Sequence, residues 1–227
     1  MARALFTDRH GGQSTGPYRD FNLALHVGDD PEVVARNRSL LAASLGIPAT
    51  SLRFMNQIHG SRIAVAGTSD ETAELPEADA LFTQQSGVAL VVLVADCIPL
   101  LLVSDQGVAA VHVGRKGLVA GIVENSIQTF IDHDIKPATI TAKIGPSICK
   151  DCYEVDLSMY EEISQSHPAC ATTLEQHCLD LVSGVVTILA TKNIAYELEP
   201  RCTREDRDLF SYRRDGITGR QAGVVLL

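Results

Sequence analysis

The chain has 227 residues, 45% of them hydrophobic and 21% charged, a globular composition that excludes a disordered or low-complexity protein. Nineteen Lys and Arg against 28 Asp and Glu leave a net charge of −9, which sets general binding of nucleic acid or an anionic membrane against net repulsion but leaves room for a local cationic site. Six Cys are too few for a disulfide scaffold, and the longest apolar run, Val88 to Val103, contains Asp96 and Pro99 and is too short for a membrane span. Met1-Ala2-Arg3 leads straight into strand-like sequence with no secretory leader, so a soluble cytoplasmic protein is expected.

In chain order, Ala4 to Thr7 predicts a short strand, followed by an irregular Gly-, Pro- and Asn-rich stretch from Asp8 to Asp29. Loops of that length inside a domain tend to be functional. Asp30 as N-cap, Pro31 at N1 and Glu32 in the first turn open an amphipathic helix that stops at Gly46. Strands are predicted over Leu52 to Gln57 and Arg62 to Ala66, around a turn at Ile58 to Ser61. Further strands follow at Val88 to Ala95, Leu100 to Ser104 and Val108 to Val113. A helix from about Leu118 to Asp132, a strand over Thr139 to Ile144, helices at Ser158 to Gln165 and Cys178 to Thr191, and a final strand, Gly223 to Leu227, complete the pattern. Strands and helices are mixed without strict alternation, which predicts one domain of α/β or α+β class with mixed sheets.

Chemistry-bearing residues fall at strand ends. His59 lies in Asn56-Gln57-Ile58-His59-Gly60, Cys97 follows the most apolar strand, and His112 lies where a strand meets Gly114-Arg115-Lys116-Gly117. Two His and one Cys would suit Zn²⁺ with a fourth position open to water or substrate. Their spacing matches no zinc-finger pattern, and a Cys after an apolar strand often packs as a small hydrophobe. Cys97 with His112 would alternatively make a nucleophile–base pair. The Gly114–Gly117 turn and the three arginines Arg213, Arg214 and Arg220 are candidate anion sites, with solvated loops as the plainer reading. Of the other histidines, His10 and His26 stand out for lying in the long N-terminal loop. Cys149-Lys150-Asp151-Cys152 has Cys-x-x-Cys spacing but no partner pair; it reads as a turn with two structural or adventitious thiols.

These pieces, taken with His26-Val27-Gly28-Asp29-Asp30, Asn37-Arg38, Ala95-Asp96-Cys97-Ile98-Pro99-Leu100, Cys152-Tyr153-Glu154-Val155 and Ser211-Tyr212-Arg213-Arg214-Asp215-Gly216, give nearly the whole chain a family likeness. The sequence resembles the YfiH/YlmD family, also called multicopper polyphenol oxidase or laccase-domain proteins. The resemblance implies mixed sheets layered between helices across residues 1–227, related to the catalytic domain of cytotoxic necrotizing factor toxins. It implies zinc on His59, Cys97 and His112, with Cys97 and Arg38 catalytic. Nucleoside and phosphate would be contacted by Arg38, Asn56, Gln57, Lys116, Arg213 and Arg214. The implied activity is purine nucleoside phosphorolysis of adenosine, inosine and methylthioadenosine, with adenosine deamination alongside. Copper-dependent phenol oxidation and editing of cell-wall precursors are the alternatives. Seven scattered His with no His-x-His pair count against a multicopper cluster. The family's usual Gly-Trp-Arg-Gly is Gly114-Arg115-Lys116-Gly117 here, which removes an aromatic and keeps the charge.

Overall fold

A computed structural model describes residues 2–67, 75–173, 175 and 177–227. Two sheets face each other. The first has strand order β1 (Arg3–Phe6), β10 (Gln221–Leu226), β5 (Ala89–Val94) and β2 (Leu52–Arg53). The second runs β3 (Ile63–Val65), β4 (Ala80–Thr83), β7 (Val108–Val113), β6 (Ile98–Val103), β8 (Thr141–Ile144) and β9 (Ala195–Leu198). Both are mixed: β2 is parallel to β5, β3 to β4 and β8 to β9, and the other neighbours are antiparallel.

The two-residue period of a strand divides each strand between two apolar layers. On β5, Ala89, Val91 and Leu93 pack toward the helix α1 (Pro31–Leu45), while Leu90, Val92 and Val94 enter the space between the sheets. On β6 and β7, Leu101, Val108 and Ala110 fill that same space. Leu100, Leu102, Ala109 and Val111 face the helices α3 (Ile122–Asp132), α4 (Leu157–Ser166) and α5 (Leu181–Thr191) on the far side. The result is a helix–sheet–sheet–helix stack, as expected of mixed sheets layered between helices. It explains the unbroken apolar run through β5, since a strand buried on both faces has no polar face to alternate with.

Helix α1 starts and stops where the sequence indicates: the Asp30 side chain accepts from Glu32 N, and Gly46 takes the left-handed conformation at the C-cap. On its buried face Asn37 accepts from Gln13 N and donates to Ser14 Oγ and Asn22 O, which ties down the N-terminal loop. Three expectations are corrected. Strand β2 ends at Arg53, because the chain from Phe54 onward leaves the sheet. The helix expected over 118–132 is two: α2 (Arg115–Val119) and α3, broken at Gly121, whose φ is +83°. Strands β4 and β9 lie where none was predicted. Helix α6 (Tyr212–Asp215) is a single turn shortly before β10.

The connections position the site. Residues 95–97 carry the chain from β5 in one sheet to β6 in the other, and residues 54–62 do the same between β2 and β3. His112 occupies the inter-sheet face near the end of β7, two residues beyond Ala110. Both crossings and the end of β7 therefore meet at one rim of the inter-sheet core.

Candidate metal centre

At that rim the ligand atoms of His59, Cys97 and His112 lie within 4.8 Å of one another. Cys97 Sγ is 4.0 Å from His59 Nε2, and the two imidazoles meet edge to face with centroids 4.7 Å apart. His112 is buried; its Nδ1 is 2.8 Å from Asp79 Oδ1, so Nε2 is left for the cluster. Asp79, fully buried just before β4, does more than orient this ring. Its two oxygens also accept from Ile58 N at 3.3 Å, His59 N at 2.9 Å and Gly60 N at 2.6 Å, so one carboxylate sets both histidines. A ligand histidine backed by a carboxylate is a recurrent feature of metal sites. His59 itself has φ of +60°, an uncommon conformation for this residue type, which these contacts hold. Gly114 allows the approach: a Cβ there would lie 3.0 Å from His59 Cδ2 and 3.2 Å from Cys97 Sγ.

Electrostatics favour a thiolate. Burial pushes the Cys97 thiol up, but the charge and hydrogen bond of His112, joined by those of His59, bring it down to about 6. Burial acts against charge on His112 as well, yet the Cys97 charge and the Asp79 hydrogen bond raise it to about 9. Between those values the pair is charged, the thiolate forming as pH rises through about 6 and the imidazolium persisting until about 9. In chelator-treated protein, alkylation of Cys97 followed by peptide mapping is therefore expected to reach half its maximal rate near pH 6. Half-maximal alkylation near the ordinary thiol value would contradict the pairing. Two neutral-capable imidazoles and one thiolate, with a carboxylate behind one of them, form a donor set that fits Zn²⁺ or copper.

The triad opens into a cavity of about 360 Å³, also lined by His26, Leu93, Ile148, Tyr153, Arg213 and Arg220. A second cavity of about 500 Å³ shares His26, Gln57 and Leu93 with it and is bounded by Arg38, Phe54 and Asn56. Arg38 stacks 3.7 Å from the Phe54 ring centroid and donates through Nε to Leu23 O, and burial lowers its pKa to about 10. Among the described residues neither Arg38 nor Arg220 has a carboxylate at ion-pair distance. Between them sits His26, held toward its neutral form by burial and then by both arginine charges.

The comparisons with known proteins agree over the full length. A family model described as multi-copper polyphenol oxidoreductase laccase matches residues 3–227. The chain belongs to this family. It is 44% identical to a protein of Streptomyces coelicolor named purine nucleoside phosphorylase, over 98% of this chain and 94% of that one. A Corynebacterium glutamicum protein of the same name is also 44% identical, over 99% and 94%. Among solved structures, a Bacillus licheniformis hypothetical protein, YfiH, superposes with a TM-score of 0.93 at 30% identity, covering 100% of this chain and 92% of that one. YlmD from Geobacillus stearothermophilus gives 0.91 at 31%, covering 99% and 91%.

Within this laccase-family fold the expected site residues are distributed unevenly. His59, Cys97 and His112 come together as the sequence suggested. Arg213 lines the first cavity, with its NH1 on Glu154 O and its guanidinium 5.2 Å from the Tyr153 ring centroid. Gln57 borders both cavities, but its amide is spent on the backbone N–H and C=O of Leu93. Arg38 and Asn56 line only the neighbouring cavity. Arg214 lines neither: its donors go to Thr203 O, Asp206 O and Leu209 O and to Asp215, a clamp on the loop before α6. Lys116 is exposed on α2 and borders neither. His10 pairs with Asp208 at 2.8 Å. Two residues of the site were not singled out as such from sequence. Asp79 has no motif of its own, because its partners lie about 20 and 33 residues away in the chain. Arg220 has nothing in the chain to set it apart from the neighbouring Arg213 and Arg214.

No helix among the described residues is long and apolar enough to cross a membrane.

Proposed function

We propose that residues 1–227 form one catalytic domain, a zinc-dependent purine nucleoside phosphorylase acting on adenosine, inosine and methylthioadenosine. The observation that carries this reading is a thiolate–imidazole donor set in one cavity with Arg220, a half-buried arginine without a carboxylate partner, and Arg38, of the same kind, in the adjoining cavity across His26. The names of the close relatives support it. Half-buried cations left without a carboxylate select an anionic ligand, here inorganic phosphate.

In phosphorolysis a phosphate oxygen bonds to the anomeric carbon while the glycosidic C–N bond breaks and its electrons leave with the purine. Arg220, with Arg38 across His26, holds the phosphate and turns an oxygen toward the sugar. Leu93, Val94 and Ile148 supply an apolar wall for the base, and Tyr153 a ring for it to stack on. Zn²⁺ bound by His59, Cys97 and His112 would supply a Lewis acid at the cavity wall. Held so, reactants gain the orientation that a bimolecular reaction in water lacks. A local cationic wall in a chain of net charge −9 also focuses phosphate onto this rim rather than onto the general surface. Adenosine deamination, in which water replaces the C6 amino group, is assigned to the same cavity and needs no phosphate.

Steady-state kinetics with varied phosphate test the assignment. Arg220→Gln is expected to raise the phosphate KM about 10- to 100-fold, the value of one charge-assisted hydrogen bond, and to affect deamination much less. Base release that is independent of phosphate in the wild type would overturn it. Copper oxidation of phenols finds weaker support. The other cluster of ligand side chains among the described residues contains no His, so it offers no second imidazole set for a multicopper centre.

A further inference from the structure

Three more cysteines converge away from the triad. Cys149 and Cys152 sit in the turn after β8, where Cys152 N and Tyr153 N donate to Cys149 O at 3.0 and 3.1 Å. Cys202 arrives in the segment after β9, which pairs with Ser147 through a parallel bridge. Glu205 N and Asp206 N then donate to Cys202 O at 3.2 and 2.8 Å, closing a turn that returns the Glu205 carboxylate toward the sulfurs. The ligand atoms of Cys149, Cys152, Cys202 and Glu205 all lie within 4.8 Å of one another.

Packing alone accounts poorly for this group. Cys152 and Cys202 are buried with Ile148 in a small cluster of their own, separate from the three larger cores, where aliphatic side chains would bury more surface than thiols do. The Cys202 sulfur also receives the backbone N–H of Cys149 at 3.3 Å, which ties the two segments together at the cluster. Glu205 is exposed and has no ion-pair partner among the described residues. A disulfide would use two of the sulfurs and leave the third sulfur and the carboxylate unexplained. Three sulfurs and one carboxylate make a complete tetrahedral set.

We propose that Cys149, Cys152, Cys202 and Glu205 form a second metal site, a closed four-ligand Zn²⁺ site that clips the turn after β8 to the segment after β9. Both segments support the first cavity. Ile148 and Tyr153 line it, and Thr203 donates to Asp96 Oδ1 at 2.6 Å, while Asp96 Oδ2 accepts from Arg213 N. The site acts on positioning and stability, and it stands whether or not the nucleoside reading does.

The test is metal content by plasma mass spectrometry on full-length protein from zinc-supplemented growth, with thiols counted in denaturant after chelation. Two zinc ions per chain are expected in the wild type, and one each in Cys97→Ala, Cys149→Ser and Cys202→Ser, with all wild-type thiols reactive. Cobalt-loaded Cys97→Ala should keep a thiolate charge-transfer band that Cys97→Ala/Cys202→Ser lacks. One ion in both the wild type and Cys202→Ser would overturn the proposal, as would a wild type short of two thiols, the mark of a disulfide. Should the cysteine variants fail to fold, Glu205→Ala decides. It is expected to lose one ion at lower chelator concentration, and retention equal to the wild type would overturn the site.

Discussion

Cys97→Ala is expected to lower the metal content of the protein by one ion per chain and to reduce phosphorolysis by on the order of 10³-fold, the several kcal/mol that a Lewis acid contributes to a transition state. The thiolate is the only anionic ligand of the triad, so its loss leaves two imidazoles, one of them exposed. The fold should survive. Cys97 is only half-buried at a sheet-crossing corner, and Ala at that place removes one sulfur from the edge of the inter-sheet core. Metal analysis, thermal unfolding and the phosphorolysis assay on one preparation separate these effects. Full activity in a Cys97→Ala protein lacking that ion would remove the triad from the mechanism.

Asp79→Asn is expected to cost about 3–5 kcal/mol of stability, the penalty for breaking a buried charged pair. It should also weaken metal binding about 10- to 100-fold, as loss of a group behind a ligand histidine does elsewhere. The reason lies in the donor count. Four N–H groups, from Ile58, His59, Gly60 and His112, converge on two carboxylate oxygens, two on each. An amide has one oxygen, so its NH₂ would face two donors inside the protein. Urea unfolding and competition with a zinc chelator measure the two losses. A variant as stable as the wild type, with unchanged metal affinity, would show that Asp79 is not what sets the two histidines.

Much of this was legible in the sequence, and the exceptions have physical causes. Helix α1 was readable to within a residue because its ends are local: Asp30 caps one and Gly46 terminates the other. Strands β5, β6 and β7 were readable because their apolar runs exceed what loops carry. Strand β9 was not, since all four of its residues are exposed at a sheet edge and mix Tyr196 and Leu198 with Glu197. Strand β4 is four residues long and follows Pro76-Glu77-Ala78-Asp79, which reads as a turn. The triad could be nominated from strand ends, but its convergence depends on two crossings between sheets that no spacing encodes. The arginines illustrate the same limit. Arg213, Arg214 and Arg220 look alike in the chain, yet Arg214 is consumed by backbone carbonyls, while Arg213 and Arg220 reach the cavity. Cys149 and Cys152 were visible as a pair; Cys202, 50 residues from Cys152, completes the set only in three dimensions.

The most direct measurement is phosphorus NMR of metal-quantified wild-type protein incubated with inosine and inorganic phosphate. Phosphorolysis predicts a sugar-phosphate ester signal that grows in step with free hypoxanthine, as inorganic phosphate falls by the same amount. Hypoxanthine appearing with no ester, or no reaction in zinc-loaded protein, would contradict the account.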